Sequence, residues 1–71
     1  MKYTIGHKIK TARKYRNMSQ KELAKKSELT ETCIFFLETE RRNDALLSTV
    51  YKIAKATKVK LTWFMKNLKM E

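Results

Sequence analysis

Apolar side chains recur along this chain at the spacing of an α-helix. Ile5, Ile9 and Ala12 fall at i, i+4 and i+7, on one face of a helix, and predict a first helix over about 4–16. Asn17 and Met18 read as a turn. Ser19-Gln20-Lys21-Glu22 has the form of a capping box, in which the Ser19 hydroxyl accepts from the Glu22 backbone N–H and the Glu22 carboxylate reaches back to Ser19. It opens a second helix over about 19–27 with Leu23, Ala24 and Ser27 on its inner face. After the turn Ser27-Glu28-Leu29, Thr30 suits an N-cap, and a third helix over about 30–39 carries Ile34 and Leu37 inward. Arg41 to Asp44 form a polar loop, with Asp44 a plausible cap for a fourth helix over about 45–57 bearing Leu47, Val50, Tyr51, Ile53 and Ala54. Val59 and Lys60 make a break. Leu61, Phe64, Met65 and Leu68 then repeat at i, i+3, i+4 and i+7, a fifth stripe over about 61–69.

The β-branched residues are scattered without the alternation a strand requires, and the chain holds no proline and one glycine. The expected class is therefore all-α, with five short helices in one domain over 1–71. The second and third helices are joined by a turn too short for side-by-side antiparallel packing, so they cross steeply, as in a helix-turn-helix.

Charge narrows the partners. The chain has 71 residues, with 17 Lys and Arg against 7 Asp and Glu, a formal net charge of +10. A chain this short buries only about 60% of its unfolded surface, which leaves little room for an enclosed catalytic cavity. Such a charge imbalance destabilises a compact fold by self-repulsion, and an anionic partner is the simplest reason to keep it: nucleic acid, an anionic membrane surface or an acidic protein. A hydrophobic content of 42% is too high for a disordered basic tail. One cysteine excludes an internal disulfide and a Cys-rich metal site. No apolar run approaches the roughly 18 residues of a membrane span, and MKYTIGHKIK lacks the apolar middle of a signal peptide. A cytoplasmic location is expected.

The ordered motifs S-Q-x-E-L-A, T-x-x-x-I-x-x-L-E and K-I-A, in MSQKELAKKSELTETCIFFLETERRN and VYKIAKATKV, resemble the Cro/cI-type helix-turn-helix domain, also called the xenobiotic-response-element family of DNA-binding regulators. The resemblance covers about Ile5 to Leu68. Within the family, K-S-x-L before the third helix and R-R-N after it are most similar to restriction–modification controller proteins, followed by phage and mobile-element repressors. The resemblance implies a lambda-repressor-like five-helix domain whose third helix enters the major groove of double-stranded DNA. It also implies a homodimer on a palindromic operator with half-sites about one helical turn apart.

With Ile34 as the inward reference at 100° per residue, Thr32, Phe35, Phe36 and Thr39 point away from the core and Glu31 lies on the flank. The resemblance implies that Glu31, Thr32 and Phe36 reach base edges. Glu31 can accept from cytosine N4, Thr32 can contact either edge or a methyl, and the rings of Phe35 and Phe36 can lie against a thymine methyl. The alternative is that one ring folds back onto the core or a partner subunit. The resemblance also gives Gln20 a phosphate contact. Ser19 has either a phosphate or capping alone, and capping is favoured. Arg41, Arg42 and Asn43 are expected on the sugar-phosphate backbone, fixing register; Glu40 stands where the family commonly has glycine. Arg13 and Glu38 match a family pair that forms a structural ion pair between the first and third helices. Glu28 replaces the glycine usual in the family's turn, and costs on the order of 1 kcal/mol if that residue is left-handed.

Phe64 and Leu61 are expected in the core, with parts of the fifth helix and the end of the fourth making the dimer contact; Trp63, Met65 and Leu68 are core or dimer surface. His7 stands alone and reads as exposed, and Cys33 flanks the buried face of the third helix. No paired carboxylates, phosphate-binding glycine loop or metal spacing occurs, so the chain reads as a non-enzyme without cofactor or metal. The leading function is a sequence-specific, dimeric DNA-binding transcription regulator with no small-molecule effector. The alternative is a protein-interaction module on the same fold that uses Phe35 and Phe36. A membrane-active cationic peptide is disfavoured, because the capping box and turn chemistry specify a folded globule.

Overall fold

A computed structural model of the protein describes residues 4–39 and 47–66. It contains α1 (Ile5–Tyr15), α2 (Gln20–Ser27), α3 (Glu31–Glu38), α4 (Leu47–Thr57) and α5 (Leu61–Met65), and no strand among the described residues. The architecture is an all-α helix-turn-helix fold. Asp44 and Leu68, and residues 40–43, lie outside the described residues.

Side-chain caps start the first three helices. The Thr4 hydroxyl accepts from the His7 N–H at 3.1 Å, and that of Thr30 from the Cys33 N–H at 3.0 Å. The capping box of α2 is complete: Glu22 N–H donates to Ser19 Oγ at 3.0 Å, and Ser19 N–H to Glu22 Oε1 at 3.3 Å. Each cap satisfies a backbone donor that has no partner inside the helix.

Three helices stop in one way. Asn17, Glu28 and Lys58, just past α1, α2 and α4, have φ of 56°, 60° and 57°. The following residue in each case donates back across the last turn: Met18 to Arg13 O, Leu29 to Ala24 O and Val59 to Ala54 O. These are Schellman turns, which glycine usually occupies because a Cβ disfavours the left-handed region. Here an apolar residue follows each one, and Met18, Leu29 and Val59 all pack against the core. That contact offsets the local strain.

Ile9, Ala12, Leu23, Ala24, Ile34, Leu37, Val50, Ile53, Ala54 and Phe64 form one buried cluster. α3 packs on α1 and α2, and α4 packs on α2, α5 and α1. Ser27 and Thr57 are buried, and their hydroxyls donate to the carbonyls of Leu23 at 2.6 Å and Ile53 at 2.9 Å. Gly6 marks a close approach of α1 and α3, since a Cβ there would collide with the Leu37 carbonyl oxygen.

Leu47 and Leu61 depart from the pattern-based expectation of burial, while Tyr51 and Met65 are exposed as their places off the inner face allow. Leu47 and Tyr51 are 62% and 55% exposed. Val50, Ile53, Ala54 and Thr57 define the inner face of α4, and at 100° per residue Leu47 and Tyr51 lie about 70° and 110° from its centre. In α5 Phe64 is fully buried, Leu61 only partly, and Met65 is exposed. A helix of 5 residues turns a single large side chain inward.

Candidate nucleic-acid interface

The geometry of α3 is set from behind. Arg13 Nε donates to Glu38 Oε2 at 2.7 Å and Arg13 Nη2 to Glu38 Oε1 at 3.0 Å, while Arg13 Nη1 donates to the Met18 carbonyl at 2.8 Å. The two side chains are only 12% and 3% exposed. Hydrogen bonding to Glu38 raises the Arg13 pKa above its ordinary value, against the opposing effect of burial. Gln20, the first residue of α2, adds a bond from Nε2 to Glu38 Oε1 at 3.2 Å. One carboxylate at the end of α3 therefore ties together α1, the start of α2 and, through Arg13, the turn between them. Paired charges whose buried nitrogen and oxygen atoms each have a hydrogen-bond partner are tolerated at this depth, where an unpaired one would not be.

With its inner face fixed by Ile34 and Leu37, α3 turns Glu31, Thr32, Phe35 and Thr39 to solvent. Phe35 is 43% exposed. Phe36 is half-buried, and its ring centroid lies 6.0 Å from that of Phe35 at an interplanar angle of 50°. The two rings thus differ: one is a solvent-facing side chain and the other its partly covered neighbour. Thr39 turns its hydroxyl back to the Phe35 carbonyl at 2.8 Å. Cys33 is half-buried beside the core.

Ser19 and Gln20 stand at the start of α2, whose N-terminus favours anions. The Ser19 hydroxyl is engaged as a cap. Lys21, Lys25 and Lys26 are exposed along α2. Arg41, Arg42 and Asn43 lie outside the described residues, as does Glu40.

Two basic residues that pattern reading passed over have structural tasks. Arg16 Nε donates to the Thr57 carbonyl at 2.8 Å, fastening the end of α4 to α1. Lys8 is 5% exposed; its Nζ donates to the Trp63 carbonyl at 2.7 Å and lies 4.5 Å from the centre of the Trp63 ring. Burial, and secondarily Lys66, lowers the Lys8 pKa. A lysine at i−1 from Ile9 gives no sequence signal of burial, because the partner sits 55 residues away.

A helix-turn-helix family profile matches residues 9–64. The chain belongs to the helix-turn-helix family of Cro/cI type. Among solved structures, the family's fold recurs in SinR of Bacillus subtilis, the master regulator for biofilm formation, solved in complex with DNA. That structure is 22% identical at a TM-score of 0.85, over 89% of this chain and 100% of that one. The restriction–modification controller protein C.AhdI from Aeromonas hydrophila is 25% identical, with a TM-score of 0.79 over 84% of this chain and 89% of that one. A mutant of the controller protein C.Esp1396I is 31% identical, with a TM-score of 0.79 over 87% and 79%. No curated protein sequence matches the chain. Among the described residues, no helix is long and apolar enough to cross a membrane. The fold is shared with SinR, a regulator solved in complex with DNA, and with restriction–modification controller proteins.

Proposed function

We propose that the protein is a sequence-specific transcription regulator that binds double-stranded DNA with α3 in the major groove, as a homodimer on a palindromic operator. One observation carries the reading: the Arg13–Glu38–Gln20 cluster holds α3 against the domain while Glu31, Thr32 and Phe35 remain exposed. Glu31 and Thr32, with half-buried Phe36, match the positions through which the family reads bases; Phe35 shares their exposed face, and the chemistry of these residues suits base edges. Gln20 and the α2 N-terminus serve a phosphate, and Arg41, Arg42 and Asn43 serve the backbone beyond α3. The net charge of +10 supplies affinity without sequence preference. Exposed Leu47, Tyr51 and Met65 on α4 and α5 supply apolar surface for a second copy.

Selection of duplexes from a random pool tests this, followed by titration of the enriched sequence at two salt concentrations. An enriched palindrome, bound by two chains more tightly than random duplex at both salts, is the expected result. Binding that is equal for all sequences and vanishes with salt would leave only electrostatic adhesion.

The exposure of Phe35 also favours a second reading, in which the ring docks into another protein. Phe35→Ser then abolishes capture of that partner and leaves DNA selection unchanged. Under the first reading it changes which sequences are enriched.

A further inference from the structure

We propose that α3 reads the C5-methyl group of pyrimidines in the major groove, the group shared by thymine and 5-methylcytosine, with Phe35 as the methyl-contacting residue and Glu31 as the acceptor that favours the methylated cytosine. The inference rests on the DNA-binding reading above and specifies the ligand chemistry of that site.

The exposed face of α3 presents one solvent-facing aromatic ring, with a second, half-buried ring at its edge and polar groups beside it. Phe35 is 43% exposed, and the other exposed residues of the helix are Glu31 and Thr32, followed by Thr39 just past its end. The half-buried Phe36 ring flanks it at 6.0 Å, and the exposed residues of α3 beside it carry hydrogen-bonding groups. The net charge of +10 is complementary to a polyanion.

A base edge in the major groove offers an aromatic ring one apolar feature, the methyl at pyrimidine C5. Phenylalanine has no hydrogen-bonding atom, so any preference it confers there comes from that methyl. Unmodified cytosine and uracil lack it.

Glu31 lies one helical turn before Phe35, and side chains one turn apart on a helix are neighbours. Long helical side chains lean toward the N-terminus, which carries the Phe35 ring over the turn that holds Glu31. A carboxylate accepts from cytosine N4 but meets an acceptor, O4, on thymine. A base pair contacted by both residues is therefore best matched by a pyrimidine with an N4 amino group and a C5 methyl. Where Phe35 acts without Glu31, thymine serves equally. Near phosphates a carboxylate is repelled unless a donor faces it, and cytosine N4 is such a donor.

The test uses the duplex enriched by selection, resynthesised with single replacements: thymine by uracil, cytosine by 5-methylcytosine, and a thymine–adenine pair by a 5-methylcytosine–guanine pair. Fluorescence anisotropy measures each Kd at fixed salt. At one or more positions per half-site, removing the methyl is expected to weaken binding about fourfold and adding it to strengthen binding about fourfold, the effect of burying one methyl group. In Phe35→Ser both ratios fall to about one. In Glu31→Ala the methyl ratios persist and the preference for 5-methylcytosine over thymine is lost. Equal affinities for every thymine–uracil and cytosine–5-methylcytosine pair, on a sequence the chain does select, overturn the inference and leave the regulator reading intact. Methyl ratios that persist in Phe35→Ser overturn the assignment to this ring. A chain that enriches no sequence overturns both readings. Because the wild-type series alone decides the methyl question, failure of a variant to fold does not obscure it.

Discussion

Arg13 and Glu38 join α1 to α3 through a two-pronged ion pair, Nε–Oε2 2.7 Å and Nη2–Oε1 3.0 Å, with Glu38 only 3% exposed. At that depth the pair's chief property is asymmetry. Removing one member strands a charge that water cannot reach, whereas removing both leaves no charge to solvate. Arg13→Met or Glu38→Leu alone is expected to lower stability by about 3–5 kcal/mol, and the double substitution by clearly less than the sum. Urea denaturation of the three variants measures the coupling. Independent, additive losses would mean that the pair is not the joint that holds α3.

Gly6→Ala sets two local effects in opposition. Alanine favours a helix over glycine by about 1 kcal/mol, so an exposed site would gain stability. At Gly6 the new Cβ meets the Leu37 carbonyl oxygen, which belongs to backbone and cannot rotate away. α1 and α3 must part, and a net loss of about 1–3 kcal/mol follows. A lowered midpoint in thermal or urea unfolding checks it, and a raised one would show that the helices are free to separate.

What could be read from the residues alone follows the range of the force involved. The capping box at Ser19–Glu22 and the cap at Thr30 are contacts three residues long, so sequence spacing specifies them. The inward set Ile9, Leu23, Ile34, Leu37, Val50, Ile53 and Phe64 follows from 100° per residue, as does the outward set Glu31, Thr32 and Phe35. Beyond that range the sequence is silent. Leu47 and Tyr51 are apolar yet exposed, because only placement of neighbouring helices decides which flank is covered. Lys8 is charged yet buried, through Trp63. The half-burial of Phe36 beside exposed Phe35, the bond from Gln20 to Glu38 and the collision zone at Gly6 are equally tertiary. Resemblance reached further than spacing at one point: no rule of spacing links Arg13 to Glu38, 25 residues apart.

Glu28 carries the left-handed turn between α2 and α3, at φ 60° and ψ 35°. An L-residue with a Cβ is disfavoured there by about 1–2 kcal/mol, and glycine recovers part of that while losing more chain entropy on folding. Glu28→Gly is expected to stabilise the domain by about 0.5–1 kcal/mol. The Leu29–Ala24 bond of the turn, 2.8 Å, is retained, so the placement of α3 and the selected DNA sequence stay unchanged. Urea midpoints and a repeat of the selection check both halves.

Gln20 faces two demands: its Nε2 donates to Glu38, and the proposed phosphate contact needs the same amide. An amide nitrogen carries two hydrogens, so one can hold Glu38 while the other serves a phosphate oxygen. Gln20→Ala is therefore expected to weaken binding to all duplexes by a similar factor, since backbone contacts carry no sequence information. The salt dependence stays unchanged, because no charge is removed. Anisotropy titrations on selected and random duplexes check it. Loss of stability with DNA affinity intact would assign Gln20 to the ion-pair cluster alone.

Lys8 makes stability depend on pH in a predictable direction. Burial, with Lys66 nearby, lowers its pKa from 10.5. As pH rises, the folded chain releases this proton before the unfolded chain does. Between the two pKa values the unfolded state binds more protons, so this group's contribution to stability increases with pH and levels off above the unfolded value. Other lysines and tyrosines titrate in the same range, and a comparison removes them. As pH rises toward 10.5, the wild-type urea midpoint is expected to rise relative to that of Lys8→Met, which has no proton to release. The opposite trend would mean that the folded environment favours the charged ammonium, and that its contacts with the Trp63 carbonyl and ring outweigh the loss of water around it.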